Sequence, residues 1–408
     1  MGEFIALMAA LMASNALAID AMLPALPAIG DSLGVAEDNR RQLIITAYLL
    51  GFGVAQLAYG PLSDRFGRKG LLVGGLVLYA LFATAAGLAA SFPLLLAARA
   101  MQGVAAAATR VLVVSIVRDR YQGSGMARVM SLVMIVFMIV PILAPAFGQG
   151  VLAISSWRHI FIGLGVYGAV LAVWTLLRLP ETLSPENRRP LSVSAIGEAA
   201  MLTLRNRQSI GNTLAQTLLM GALFSFINSV QQIVFDVFHR PELMAIVFAL
   251  IAGPMAISSY ANSKLVVRHG SRRILLMALS AFTTMGAVHF LCAEIFGESI
   301  WSFVALQAGT MAFFGLIGAN AGALAMEPMG HVAGTASSLQ GVITTVGGAI
   351  IGFTIGQQFN GTTLPFVTGF TLCGACALAV AFWANRAPSR DSHDQAEVEV
   401  QETASRPA

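Results

Sequence analysis

The chain has 408 residues, 57% of them hydrophobic and only 11% charged, with 40 Gly and a mean hydropathy of +0.76. Soluble domains average about 25% charged residues, so this composition excludes an ordinary soluble enzyme. The net charge of +4 does not point to nucleic acid either, because the basic residues fall in short loops between apolar runs rather than along one face.

A helical span needs roughly 20 apolar residues, and breaking the apolar runs at charged or Gly/Pro clusters predicts twelve of them. The first six lie at 4–26, 42–62, 71–90, 93–117, 127–152 and 159–179, and the second six at 209–234, 243–266, 274–294, 299–326, 333–358 and 364–385. The first run has no basic residue before Phe4, and Asp20 interrupts its end, so it reads as a span and not as a signal peptide. The expected organisation is a six-helix bundle over 1–179, a polar linker over 180–208 with Pro180, Pro185 and Pro190, and a second bundle over 209–385. A disordered acidic tail is expected over 386–408. Cys292, Cys373 and Cys376 sit inside apolar runs and read as small packing residues.

Basic residues near span ends stay on the cytoplasmic side. One set of alternating loops holds Arg65, Arg68, Lys69, Arg118, Arg120, Arg128, Lys264, Arg268, Arg272 and Arg273, while the other has only Arg40, Arg41, Arg158 and Arg240. Both termini are then expected in the cytoplasm. Gly60 to Lys69, after the second span, is echoed by Ser263 to Arg272 after the eighth, with Val267 standing where the first copy has Asp64. Such a duplication marks two pseudo-symmetric halves, whose interface near the midplane is where repeat-built transporters bind substrate.

The string Gly60-Pro-Leu-Ser-Asp64-Arg65-Phe66-Gly67-Arg68-Lys69 resembles the G-x-x-x-D-R-x-G-R-K/R signature of the major facilitator superfamily. Further motifs narrow the likeness. Asp20-Ala-Met-Leu-Pro24-Ala-Leu-Pro27, Arg99-Ala-Met-Gln102-Gly103, Ala144-Pro145-Ala-Phe-Gly148 and Trp157-Arg158-x-x-Phe161 resemble the bicyclomycin-resistance (Bcr/CflA) branch of drug:proton antiporters. Departures are Ala144 in place of the usual Gly, and Ile227-Asn228-Ser229 where the branch has Ser-Pro-Phe. The resemblance implies an all-α membrane protein with two six-helix bundles. It further implies a monomeric, proton-driven exporter of small amphipathic drugs, such as bicyclomycin- or chloramphenicol-like compounds, in a bacterial inner membrane. No cofactor is implied, the proton gradient being the energy source. A carrier of a small metabolite, a sugar or an amino acid, is the alternative.

Charged groups within spans are functional candidates, because burying one costs about 2.5–3.5 kcal/mol on insertion scales. Asp20 is either such a group or a carboxylate at the membrane surface before the Pro24 turn. Arg99 is expected at a similar depth. Arg110 is on nearly the same helix face as Arg99, as a further proton-coupling residue or one that snorkels to the surface. Desolvation disfavours a charged Asp20 and a cation nearby favours it, so a site poised between the two can exchange a proton. The family pattern places cavity-lining residues at Asn15, Tyr48, Met134, Phe224, Asn228, Gln231, Asn320 and Gln340. It assigns conformational gating to Gly60, Asp64, Arg65, Gly67, Arg68, Lys69, Gln102, Gly103, Pro145 and Gly148. His289 and Glu294 are read as one solvated span end, and Glu327 with His331 as another on the opposite side, which argues against a metal site.

Overall fold

The computed structural model describes residues 2–121, 123–184, 186, 188 and 193–386. The tail expected over 386–408 lies outside these, apart from Arg386. Among the described residues the structure is all helical, with twelve helices long and apolar enough to cross a membrane. The first six are α1 (Gly2–Asp20, prolonged by Leu23–Ala25 and Leu26–Ser32), α2 (Leu43–Phe66), α3 (Arg68–Gly87), α4 (Phe92–Arg120), α5 (Gly123–Ile154) and α6 (Trp157–Arg178). The second six are α7 (Arg207–Gln232), α8 (Met244–His269), α9 (Ser271–Phe296), α10 (Ile300–Met311, continued by Phe314–Met326), α11 (Ala333–Gly356) and α12 (Leu364–Ala384). We call the end carrying Arg68 and Arg272 the basic end.

Local chemistry sets the helix ends. Gly67 has φ +97° and its N–H donates to the Ser63 carbonyl at 3.1 Å, which stops α2 and lets α3 begin at once. The stretch expected as a linker contains a helix, Val193–Arg205, after which the Asn206 side chain accepts from the Ser209 N–H at 2.9 Å and caps α7. α7 has no internal proline; it runs straight to Gln232 and ends in one π-helical turn, Ile233–Val237.

Within the first half, backbones approach closely where side chains are small. A Cβ on Gly103 would collide with the Tyr48 carbonyl, and one on Gly148 with the Ala21 carbonyl, so α4 is locked onto α2 and α5 onto α1. The halves meet along α2 with α11 and α5 with α8. Gln56 donates to Thr345 Oγ1 at 3.2 Å on the first of these seams. On the outside, Val166, Val170, Val173 and Leu177 form an exposed apolar stripe on α6, the face a bilayer would cover.

Candidate functional site

Arg99, seven residues into α4, is completely buried. Its guanidinium donates to Gln102 Oε1 at 2.7 Å, to the Ala18 carbonyl at 2.9 Å and to the Ile44 carbonyl at 3.3 Å, and it lies 4.5 Å from the Tyr48 ring centroid. These bonds pin α1, α2 and α4 at one depth and leave no ion pair between Arg99 and Asp20. Asp20, two residues beyond Ala18, is 3% exposed, and its Oδ1 has no hydrogen-bond partner. Arg110 shares the helix face of Arg99 but is exposed, with no ion pair among the described residues. Asn15 donates to Thr109 Oγ1 at 2.8 Å and accepts from the Tyr48 hydroxyl at 3.1 Å, so both residues are occupied in joining helices.

The second half holds unpartnered amides of its own. The Leu23–Ala25 turn just after Asp20 rests on α7. On α7 both polar atoms of the Asn228 amide, and Gln231 Nε2, are buried without partners. On α10, Gln307 is likewise 1% exposed with a free Nε2. Arg99 and Gln307 each lie seven residues, roughly 10 Å, into pseudo-equivalent helices. Unpartnered buried polar atoms carry a cost of about 1–3 kcal/mol each, which a polar ligand reaching them would relieve. Gln307 carried no signal in the sequence beyond being an amide in an apolar run.

Toward the end opposite the basic one, a second amide cluster ties the halves together. Gln42 donates to Gln232 Oε1 at 2.6 Å and to the Gly356 carbonyl at 3.0 Å. Gln232 donates to Asn39 Oδ1 at 2.7 Å, Gln357 donates to the Asn39 carbonyl at 2.7 Å, and Gln149 reaches the Pro241 carbonyl at 2.8 Å. The halves are therefore closed against each other at this end. None of these residues belongs to a motif quoted above.

At the basic end, Arg68 is buried and pairs with Asp64 at 2.7 Å and Asp119 at 3.1 Å, and donates to Ser63 Oγ. Glu181 accepts from the backbone N–H groups of Arg68 at 2.9 Å and Lys69 at 3.1 Å. Partial burial works to raise the Glu181 carboxyl. The backbone N–H groups of Leu183, Arg68, Lys69 and Thr182 outweigh it and hold the group below the usual carboxylate range. Arg65 lies over the Phe66 ring, and Gly60 faces Ser338 of α11. The charges of this cluster are satisfied within the first half, and among the described residues no ion pair carries them to the second.

Other expected cavity residues stand apart. Gln340 donates to Ser209 Oγ at 3.0 Å, roughly 33 Å along α7 from Gln231. Asn320 donates to Asn262 Oδ1 at 2.7 Å, tying α10 to α8. Phe224 packs on α11 at Gly352, and Met134 packs against the apolar core of the first half. His289 is not a solvated end. It is 1% exposed and its Nε2 lies 2.6 Å from Glu298 Oε1, because Glu298 folds back over α9 and also accepts from Thr363. Glu294 and Glu327 are exposed, and the His331 side chain lies outside the described residues.

A sequence model described as Major Facilitator Superfamily matches residues 8–352. The chain is 29% identical to a bicyclomycin resistance protein homolog of Haemophilus influenzae over 364 residues, 88% of this chain and 89% of that protein. It is 28% identical to the multidrug resistance protein MdtL of Salmonella heidelberg over 334 residues, 81% of this chain and 82% of the relative. Among solved structures, a D-xylose-proton symporter superposes with a TM-score of 0.72 at 13% identity, covering 94% of this chain and 98% of that one, a likeness of fold alone.

Proposed function

The chain belongs to the Major Facilitator Superfamily, a family of membrane transporters and not of enzymes, and from that premise we propose that it is a proton-coupled multidrug efflux antiporter. Its substrates in this reading are small amphipathic drugs, of the bicyclomycin or chloramphenicol kind. The protein works as a monomer in a bacterial inner membrane, with both termini and the basic end in the cytoplasm. Relatives named for bicyclomycin and multidrug resistance support the direction of transport.

The observation that carries the coupling is the buried, unpartnered Asp20 Oδ1, to which the second half adds unpartnered buried amides at Asn228, Gln231 and Gln307. An ionised carboxylate without a partner is costly at such depth, so its charge is best borne while a polar or cationic drug occupies the site. Taking a proton from the periplasm removes that charge and releases the drug. After the halves rock, losing the proton to the cytoplasm restores the binding form. Arg99, with its donors spent on Ala18, Ile44 and Gln102, acts as the rigid post that holds α1 and Asp20 in place. The amide cluster of Gln42, Gln232 and Gln357 closes the periplasmic end in the state described here. The Arg68 cluster closes the other end when the first opens.

Drug accumulation and minimum inhibitory concentration in an efflux-deficient bacterial host test this reading, with and without a protonophore, beside Asp20→Asn. The expected result is resistance lost with the protonophore and with Asp20→Asn alike. Full protonophore-sensitive efflux by Asp20→Asn removes Asp20 from the mechanism. An expressed protein that changes the accumulation of no compound in a broad panel turns the assignment to a metabolite carrier.

A further inference from the structure

The basic end of the second half holds a cavity of about 1200 Å³ between the ends of α7, α9, α10 and α12. Its charged lining is Arg207, Arg272, Arg273 and Arg386, with His269 and a single carboxylate, Glu327. Glu327 is engaged by Gln208, which donates to it at 2.7 Å. Arg207 donates to the Trp383 carbonyl, and Arg386 stacks over Phe382 at 5.0 Å. Arg272 and Arg273 are exposed to the cavity and have no ion-pair partner among the described residues. Leu276 and Leu324 supply apolar wall beside them.

The first half shows what occupies the equivalent place there. Its turn pivots on Gly67, and the start of α3 receives the Glu181 carboxylate on the N–H groups of Arg68 and Lys69. The second half makes the same turn on Gly270, φ +74°, but brings no carboxylate to the start of α9 among the described residues. Among the described residues, four guanidinium groups and the start of α9 thus line a space whose counterpart in the first half holds the Glu181 carboxylate. We propose that this cavity binds the phosphate headgroup of an anionic phospholipid from the leaflet that meets the basic end, with Arg272 and Arg273 as its principal contacts. Guanidinium forks match phosphate oxygens in pairs, and basic pockets between the ends of membrane helices are suited to anionic headgroups. The space exceeds the roughly 300–1,000 Å³ typical of small-molecule pockets, so a bare ion would leave most of it empty. A headgroup with its glycerol against Leu276 and Leu324 would fill it.

Native mass spectrometry of the full chain, equilibrated with phosphatidylglycerol or phosphatidylcholine, tests the proposal independently of any transport assay. The expected result is retention of phosphatidylglycerol over phosphatidylcholine, weakened at least about tenfold in Arg272→Ala/Arg273→Ala. It should be unchanged in Arg118→Ala/Arg120→Ala, a pair of exposed arginines at the first half's basic end. Arg272→Lys/Arg273→Lys keeps the charge without the fork; it should bind in between and guards against a folding defect in the alanine variant. Equal loss in both alanine pairs would overturn the site in favour of diffuse surface charge. Saturation by inorganic phosphate with no preference for the lipid would make it a soluble-anion site. Lipid binding that emerges only on deletion of residues 387–408 would make the chain's own acidic tail the occupant. Either of the last two results also overturns the proposal.

Discussion

The turn between α2 and α3 and the turn between α8 and α9 pivot on glycines of similar conformation, Gly67 at φ +97° and Gly270 at φ +74°. Around the first, the buried Arg68 is bound to Asp64 and Asp119, and Glu181 covers the start of α3. Around the second, Val267 and Ser271 stand in the places of Asp64 and Arg68, and Arg272 and Arg273 are exposed, with no ion-pair partner among the described residues. The backbone of the repeat is thus retained where the charge network is not. A turn needs only glycine and a helix start, whereas a closed charge cluster needs several side chains from distant helices at once. The first corner is consequently a rigid joint that can tie a conformational change to α2 and α4. The second has no such charge network among the described residues.

The largest difference between the corners is expected on removing Arg68. Arg68→Ala deletes a 3% exposed cation and strands two carboxylates, of which Asp119 is 15% and Asp64 42% exposed. Breaking fully buried pairs costs about 3–5 kcal/mol, and the partial exposure of these partners brings the expectation to about 2–3 kcal/mol. Thermal unfolding in detergent should show a clear drop in Tm for Arg68→Ala, and drug efflux should fail. The counterpart Ser271→Ala should stay within about 0.5 kcal/mol of the parent. Equal shifts at the two positions would erase the distinction drawn above.

The twelve spans and the first corner were legible in the sequence because they rest on local signals, apolar runs of the right length and a compact motif. Asp20 and Arg99 were legible for the same reason: each is a charge inside an apolar run. What escaped depends on contacts between remote segments. Asn39, Gln42, Gln232 and Gln357 look like ordinary polar residues near helix ends until the fold brings α2 against α7 and α11. His289 reads as a residue near a wet helix end, and only the return of the chain at Glu298 buries it. Amides were equally hard to sort. Asn15, Asn320 and Gln340 are consumed by neighbouring helices, while Asn228, Gln231 and Gln307 keep free atoms, and nothing in their local sequence separates the two groups.

A smaller effect separates the two turn glycines. An alanine at either must take a positive φ, which costs about 1–2 kcal/mol. At Gly270 that is the whole penalty, since among the described residues beyond its chain neighbours no atom lies within 4 Å of the new Cβ. At Gly67 the Cβ would stand 2.6 Å from Glu181 Oε2, so the carboxylate must also leave the N–H groups of Arg68 and Lys69. Gly67→Ala should therefore unfold at lower temperature than Gly270→Ala, and combining it with Glu181→Ala should cost less than the sum of the two changes. Strict additivity would mean that Glu181 does not define the first corner.

The smallest expected effect is the pH dependence of Glu181 itself. Its folded carboxyl is held below the usual range, so the unfolded chain binds its proton first as the pH falls. The stability it adds is complete above the ordinary carboxylate range, about pH 4 and upward. It decays as the pH drops through the lowered folded value. More than a third of the residue is exposed, and solvent screening limits its worth to less than about 1 kcal/mol. Glu181→Gln should accordingly unfold slightly below the parent at pH 7, and the two melting curves should converge in acid. A gap that widens toward low pH would carry the opposite sign, and would mean that the backbone N–H groups of α3 do not hold the carboxylate in its charged form.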